Sequence, residues 1–193
     1  TIAGYLVNYM NNTDFLQKRE ITLKEHIWYL FEYDCGQNWM DNRNGGHPYY
    51  PYKYLIENGK LDRMRVLRES LLAVNRNMNK NLCGWFAGMF TALTPSIEEQ
   101  LALQPEILAV LSAPHSRPVN IMLGLLKGLC NHPQFRIEEF LNQTSVLFAS
   151  DVKAVHQNTL AVLNKLAKER KEFRDAICCV AAQGLMSREE SRS

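Results

Sequence analysis

The spacing of the apolar residues limits most severely what this chain can fold into. From Ile21 onward they recur at i, i+3, i+4 and i+7, the period of an α-helix, and no convincing run alternates as a strand requires. Leu23, Ile27, Leu30 and Phe31 share one side of a segment from Ile21 to Tyr33, which Thr22 and Glu25 are expected to open as a capping box. Met64, Leu67, Leu71 and Val74 do the same between Asp62 and Arg76, with Asp62 placed to cap. Leu82, Trp85, Phe86, Met89, Phe90 and Leu93 form the next stripe. Thr94-Pro95 marks a boundary. Ser96, Glu98 and Glu99 then open another helix, whose acids suit the positive end of the helix dipole. A break is expected near Pro105, a turn from Pro114 to Pro118, and a second break at His132-Pro133. Further helices are expected over 119–129, 135–148, a stretch capped by Asp151 and running to Lys168, and 173–186.

Composition narrows the class. The chain has 193 residues and a formal net charge of +2, with 46% hydrophobic and 22% charged residues, ordinary globular values. A disordered charged tail is excluded, and no apolar run is long enough for a membrane-spanning helix. The start, Thr1-Ile2-Ala3-Gly4-Tyr5-Leu6-Val7, lacks both an initiator Met and the basic opening of a signal peptide, so the chain is expected to be a piece of a larger protein beginning inside a helix. Cys35, Cys83, Cys130, Cys178 and Cys179 are odd in number and fit no secreted disulfide framework. Cys83, Cys130, Cys178 and Cys179 sit in apolar helical stretches and read as buried free thiols rather than metal ligands or disulfides, which implies a reducing, cytoplasmic setting.

One stretch departs from the helical pattern. Asp34 to Tyr54 holds Gly36, Gly45, Gly46, Pro48 and Pro51 among several asparagines, the composition of turns and loop. Trp39, Tyr49, Tyr50, Tyr52 and Tyr54 are packed into it. A loop so long is either functional or poorly ordered, and its five aromatics argue that at least part of it is pinned onto the protein.

A weak internal repeat runs through the rest. Phe90 and Leu93 align with Leu126 and Leu129, and these with Leu163 and Leu166, a period of about 36–37 residues in the range of paired-helix repeats. The inner helices of the copies would be Leu82–Leu93, Val119–Leu129 and Val152–Leu166. One helix pair cannot bury its own stripe, so pairs are expected to stack. Leu61-Asp62-Arg63, Ser70-Leu71-Leu72-Ala73-Val74-Asn75-Arg76, Gly84-Trp85-Phe86 and Leu93-Thr94-Pro95-Ser96-Ile97-Glu98-Glu99 resemble an uncharacterised family of bacterial helical-repeat proteins, similar in style to HEAT and armadillo arrays. The resemblance implies an all-α fold of antiparallel helix pairs stacked as an α-α superhelix. It implies no activity, because its motifs pack and cap.

Chemistry is mostly missing. There is no Gly-rich phosphate loop, no GxSxG and no HExxH. Cys130 and His132 make two ligands, short of a zinc site, and His132 suits a helix C-terminus better. The Asp41-Asn42-Arg43-Asn44-Gly45-Gly46 loop fails the calcium pattern at Arg43 and at Tyr52. Glu98-Glu99 and Glu138-Glu139 read as dipole compensation rather than acid–base pairs, and Cys35 with His47 is unconstrained as a nucleophile and base. No metal, cofactor or catalytic residue is assigned.

The whole chain is therefore expected to be one helical-repeat domain: irregular helices and the aromatic loop over 1–60, about three helix pairs over 61–186, and a frayed end. Its expected role is a non-catalytic scaffold for a protein or peptide. Trp39, Tyr49, Tyr50, Tyr52, Arg63 and Arg68 are the candidate contacts, being residue types that anchor interfaces. The tyrosines equally suit a cap sealing the end of the array. The alternative is a DNA-binding or base-repair protein on a HEAT-like fold. It would need Arg63, Arg65, Arg68 and Arg76 to converge with Lys165, Lys168, Arg170, Lys171 and Arg174 on one basic concave face.

Overall fold

Asp62 starts its helix as its position suggests: the carboxylate accepts the backbone N–H of Arg65 at 2.6 Å. Ser96 and Glu99 form a complete capping box. The Ser96 hydroxyl accepts from Glu99 N–H at 3.2 Å, and Glu99 Oε2 accepts from Ser96 N–H at 2.8 Å. Such local signals repeat along a computed structural model that describes Leu6, Met10 and residues 12–34, 49–76 and 78–190, with side chains to 184. Among the described residues every regular element is helical and no strand occurs.

The helices fall into two compact units, residues 1–95 and 96–193. The first holds α1 (Thr13–Leu16), α2 (Glu20–Lys24), a 3-10 turn (His26–Trp28), α3 (Tyr29–Glu32), α4 (Tyr50–Glu57), α5 (Arg63–Val74) and α6 (Lys80–Ala92). The second holds α7 (Ile97–Ala102), α8 (Gln104–Ala109), a 3-10 turn (Val110–Ser112), α9 (Ser116–Leu129), α10 (Ile137–Phe148), α11 (Lys153–Glu169), a 3-10 turn (Lys171–Phe173) and α12 (Arg174–Glu190).

In the first unit α6 is enclosed on nearly every side, with Leu82, Cys83, Trp85, Phe86, Met89 and Phe90 all buried. A helix apolar all round belongs in the middle of a core. The Asn79 side chain caps it, accepting from the N–H groups of Asn81 and Leu82 at 3.1 and 3.0 Å. Helix α5 packs along α6, and its Val66, Leu67, Leu71 and Val74 are buried. The far end of α6 closes at Thr94, whose φ of 49° is a left-handed conformation that a β-branched residue rarely takes. There Arg63 donates to the carbonyls of Leu93 and Thr94 at 2.9 and 3.3 Å, supplying positive charge where the helix dipole is negative.

The second unit is layered. Helix α9 packs against α11, and α10 packs against α8 and α12, while α11 also meets α10 and α12. Three hydrogen bonds tie the α9 and α11 chain segments at one constant offset of 38 residues. Asn158 Nδ2 donates to Asn120 Oδ1 at 2.7 Å, Lys165 Nζ to the Lys127 carbonyl at 2.8 Å, and Arg170 to the His132 carbonyl at 3.4 Å. A constant difference means that α9 and α11 run in the same direction, so α10, which connects them in sequence and packs on α11, carries the chain back. Gln104, itself buried, ties α8 to the start of α10: its Nε2 donates to the Gln134 carbonyl and its Oε1 accepts from Arg136 N–H, both at 2.9 Å. Leu126, Leu129, Leu163 and Leu166 are all buried.

Several sequence expectations need correction. The segment from Ile21 to Tyr33 is not one helix but α2, a 3-10 turn and α3. Arg19, without a side-chain cap, stands where α2 begins, and Thr22 lies inside α2. Asp151 does not cap α11; Val152 holds that position, and its N–H donates to Ser150 Oγ at 3.2 Å. The turn expected from Pro114 to Pro118 is already helical from Ser116, because a proline in the first turn lacks only an N–H that has no intrahelical partner there. The same reason puts Tyr50 to Tyr54, expected as loop, in the first turns of α4, with Pro51 near its start. Cys178 and Cys179, expected buried, are exposed, since α12 turns Ile177 and Gly184 inward.

Candidate functional site

The first unit carries an open cleft of about 350 Å³, in the size range of small binding sites. Trp28, in the 3-10 turn, is one of its lining residues. The indole N–H donates to the Lys24 carbonyl at 2.9 Å, which fixes the ring, and Trp28 is only 5% exposed. The Arg65 guanidinium lies 3.8 Å from the ring centroid, a cation–π contact worth about 0.5–1 kcal/mol at an exposed site. The sequence set this arginine in place. Asp62 caps α5 and Arg65 is the third residue of that helix, so the cap delivers its side chain over the indole. Leu23 and Leu61 give the cleft an apolar floor; Glu20, Lys24, Lys60 and Asp62 surround it with charges of both signs. The arrangement suits a partner that presents an apolar group flanked by polar ones. It offers no nucleophile with a base.

The predicted contact residues are dispersed. Trp39 lies outside the described residues, as do Cys35 and His47. Tyr49 is half-buried, its ring 5.0 Å from that of Trp85 and its hydroxyl resting on Gly88. Tyr52 is 1% exposed and belongs to the core, edge-on to Phe31 at 5.5 Å and to Trp85 at 6.2 Å. Tyr50 is exposed and pairs with Tyr54 at 5.8 Å. Arg63 holds the end of α6. Arg68 is exposed one turn beyond Arg65 on α5. Arg76 donates to the Phe31 carbonyl at 2.9 Å and pairs with Glu69 at 3.2 Å. Of these groups, Arg63 lies nearest in sequence to the cleft, between Asp62 and Arg65, but its guanidinium is engaged at the end of α6, whereas Arg68 follows Arg65 by three residues. The reading from sequence missed Trp28; its only signal was an indole beside the Ile27 stripe with a run of arginines some forty residues on.

The remaining candidate chemistry is local. Glu98 Oε2 accepts from the Ser96 hydroxyl at 2.8 Å, which holds the Glu98 carboxyl below its ordinary range. Glu139 pairs with Arg136 at 3.0 Å. Cys130 Sγ points to the Leu126 carbonyl at 3.4 Å, and burial pushes its thiol up to about 11; His132 Nδ1 accepts from Gln134 N–H. Burial also raises Cys83. Thiols held protonated in this way are poor nucleophiles and poor ligands. His156 is buried against Phe148 at 6.1 Å, away from other histidines. Among the described residues no group of His, Cys, Asp and Glu is gathered to hold a metal, and no helix is long and apolar enough to cross a membrane.

These features describe an all-helical protein with a cation-capped indole cleft. The chain belongs to the family described as a domain of unknown function (DUF6493), whose model matches residues 3–154 and so ends at the start of α11. No curated protein and no solved structure matches the chain.

Proposed function

We infer that the chain is a non-catalytic binding scaffold, a HEAT- or armadillo-like array of antiparallel helix pairs that holds a protein or peptide partner. The parallel course of α9 and α11 at a fixed offset, with α10 as the connecting return segment packed on α11, supports the array. Arg65 stacked on Trp28 beside an open cleft carries the binding role, because tryptophan and arginine dominate interface energetics. Arg68, one turn further along α5, extends the same side of the helix.

Peptides selected from a random display library on the wild-type protein test this. Affinity for the selected peptides is expected to fall about tenfold, or about 1.4 kcal/mol, in Arg65→Ala, and by a smaller factor in Arg68→Ala. Circular dichroism should show both variants folded. Selected peptides that bind Arg65→Ala and Arg68→Ala as well as wild type would remove this surface from the account.

A further inference from the structure

The charges of the second unit are sorted by helix. Helices α7, α8 and α10 carry Glu98, Glu99, Glu106, Glu138 and Glu139 and no lysine or arginine. Helices α9 and α11 carry Arg117, Lys127, Lys153, Lys165 and Lys168, opposed only by Glu169. The formal net charge of +2 conceals this separation. Arg117, Lys127, Lys153 and Lys168 are exposed, as are the amides of Gln157, Asn158 and Asn164.

Geometry makes a strip of these groups. The Asn158–Asn120 and Lys165–Lys127 hydrogen bonds mark where α9 and α11 meet at the surface. Between them Gly124 leaves open space where a Cβ would stand, and Ala161 is the small residue one turn past Asn158. The result is a polar strip along the α9–α11 seam that holds Asn120, Asn158 and Lys165, flanked by the exposed Arg117 and Lys127 of α9 and the exposed Lys168 of α11, with Lys153, Gln157 and Asn164 further round the exposed side of α11. From Arg117 to Leu129, within α9, it is about 18 Å long at 1.5 Å per residue. About five or six residues of an extended chain fit that length.

We propose that this α9–α11 face binds an acidic peptide segment in extended form. This rests on the scaffold reading and names a second surface and the chemistry of its partner. Charge complementarity selects an acidic occupant. Neither helix carries Phe, Tyr or Trp on which bases could stack, as a single-stranded nucleic acid needs. Side-chain amides both donate and accept, which matches a peptide main chain, whereas a phosphate only accepts.

Fluorescence anisotropy with a labelled glutamate–glycine alternating peptide tests the proposal, alongside a glycine–serine peptide of equal length and a DNA duplex. The acidic peptide is expected to bind, with affinity falling as salt is raised. The glycine–serine peptide is expected not to bind. Affinity should drop at least tenfold in the Arg117→Glu, Lys153→Glu, Lys168→Glu triple variant and stay unchanged in Glu138→Gln. The three substituted cations make none of the hydrogen bonds that join α9 to α11, and unchanged thermal unfolding checks that the fold survives. Equal binding by the triple variant, or no binding at low salt, overturns the proposal; tighter binding of the duplex than of the acidic peptide replaces it with a nucleic-acid partner. Display-selected peptides that still depend on Arg65 in any of those cases would leave the scaffold reading intact.

Discussion

Gly88 and Tyr49 give the sharpest test of how the aromatic segment is anchored. A Cβ added at Gly88 would collide with the Tyr49 hydroxyl, and the Tyr49 ring carbon behind it stands 3.5 Å away. Gly88→Ala must therefore push Tyr49 off Trp85. Two effects of opposite sign follow. Alanine in a helix interior is favoured over glycine by about 0.8–1 kcal/mol. Losing a tyrosine–tryptophan contact costs about 0.5–1.5 kcal/mol. Gly88→Ala alone should thus change stability by less than about 0.7 kcal/mol, while Tyr49→Ala costs about 1 kcal/mol in the wild-type background. In the Gly88→Ala background Tyr49→Ala should cost almost nothing, a coupling of about 1 kcal/mol. Urea unfolding of the four proteins, followed by tryptophan fluorescence, measures the cycle. Stabilisation by about 1 kcal/mol in Gly88→Ala, with Tyr49→Ala equally costly in both backgrounds, would refute the packing.

Arg63→Ala should lower stability by about 1–2 kcal/mol, because it strips a charged donor from two carbonyls at the end of α6; chemical denaturation reads this, and an effect near zero would return Arg63 to the pool of candidate partner contacts. Thr94→Gly should raise stability by about 1 kcal/mol by relieving the positive φ, visible as a higher Tm. Cys130 sets an alkaline signature. Its folded-state value of about 11 exceeds the ordinary 9.0, so from pH 9 upward the unfolded chain loses that proton first, and stability falls until about pH 11. Cys130→Ala should flatten that part of the pH–stability curve; an unchanged slope would show that the thiol is not held protonated.

The helices were legible because their signal is local. Leu67, Leu71 and Val74 need only the 3.6-residue period to declare a buried side, and Asp62 and Ser96 declare helix starts within three residues of themselves. What was illegible depends on partners distant in sequence. Arg63 looked like a surface cation because the carbonyls it satisfies belong to a helix ending thirty residues later. Arg65 and Trp28 become one feature only when α5 lies beside the 3-10 turn. Tyr52 resembled its neighbours Tyr49 and Tyr50 in composition, yet one of them is core, one half-covered and one exposed, because a helix beginning at Tyr50 points them in different directions. Cys178 and Cys179 sat in an apolar stretch, but α12 has partners on one side only, and its Ile177 takes that side.

The lateral register of α9 and α11 underlies both the array and the basic strip, and a cross-link measures it most directly. In a Cys178→Ala, Cys179→Ala background, cysteines replacing Asn120 and Asn158 should be joined by a short bifunctional thiol reagent, with the linked peptides identified by mass spectrometry. The 2.7 Å contact between these side chains predicts rapid, intramolecular closure in the folded protein and none in denaturant. Single-ended labelling of both cysteines in the folded protein, without a cross-link, would contradict the account.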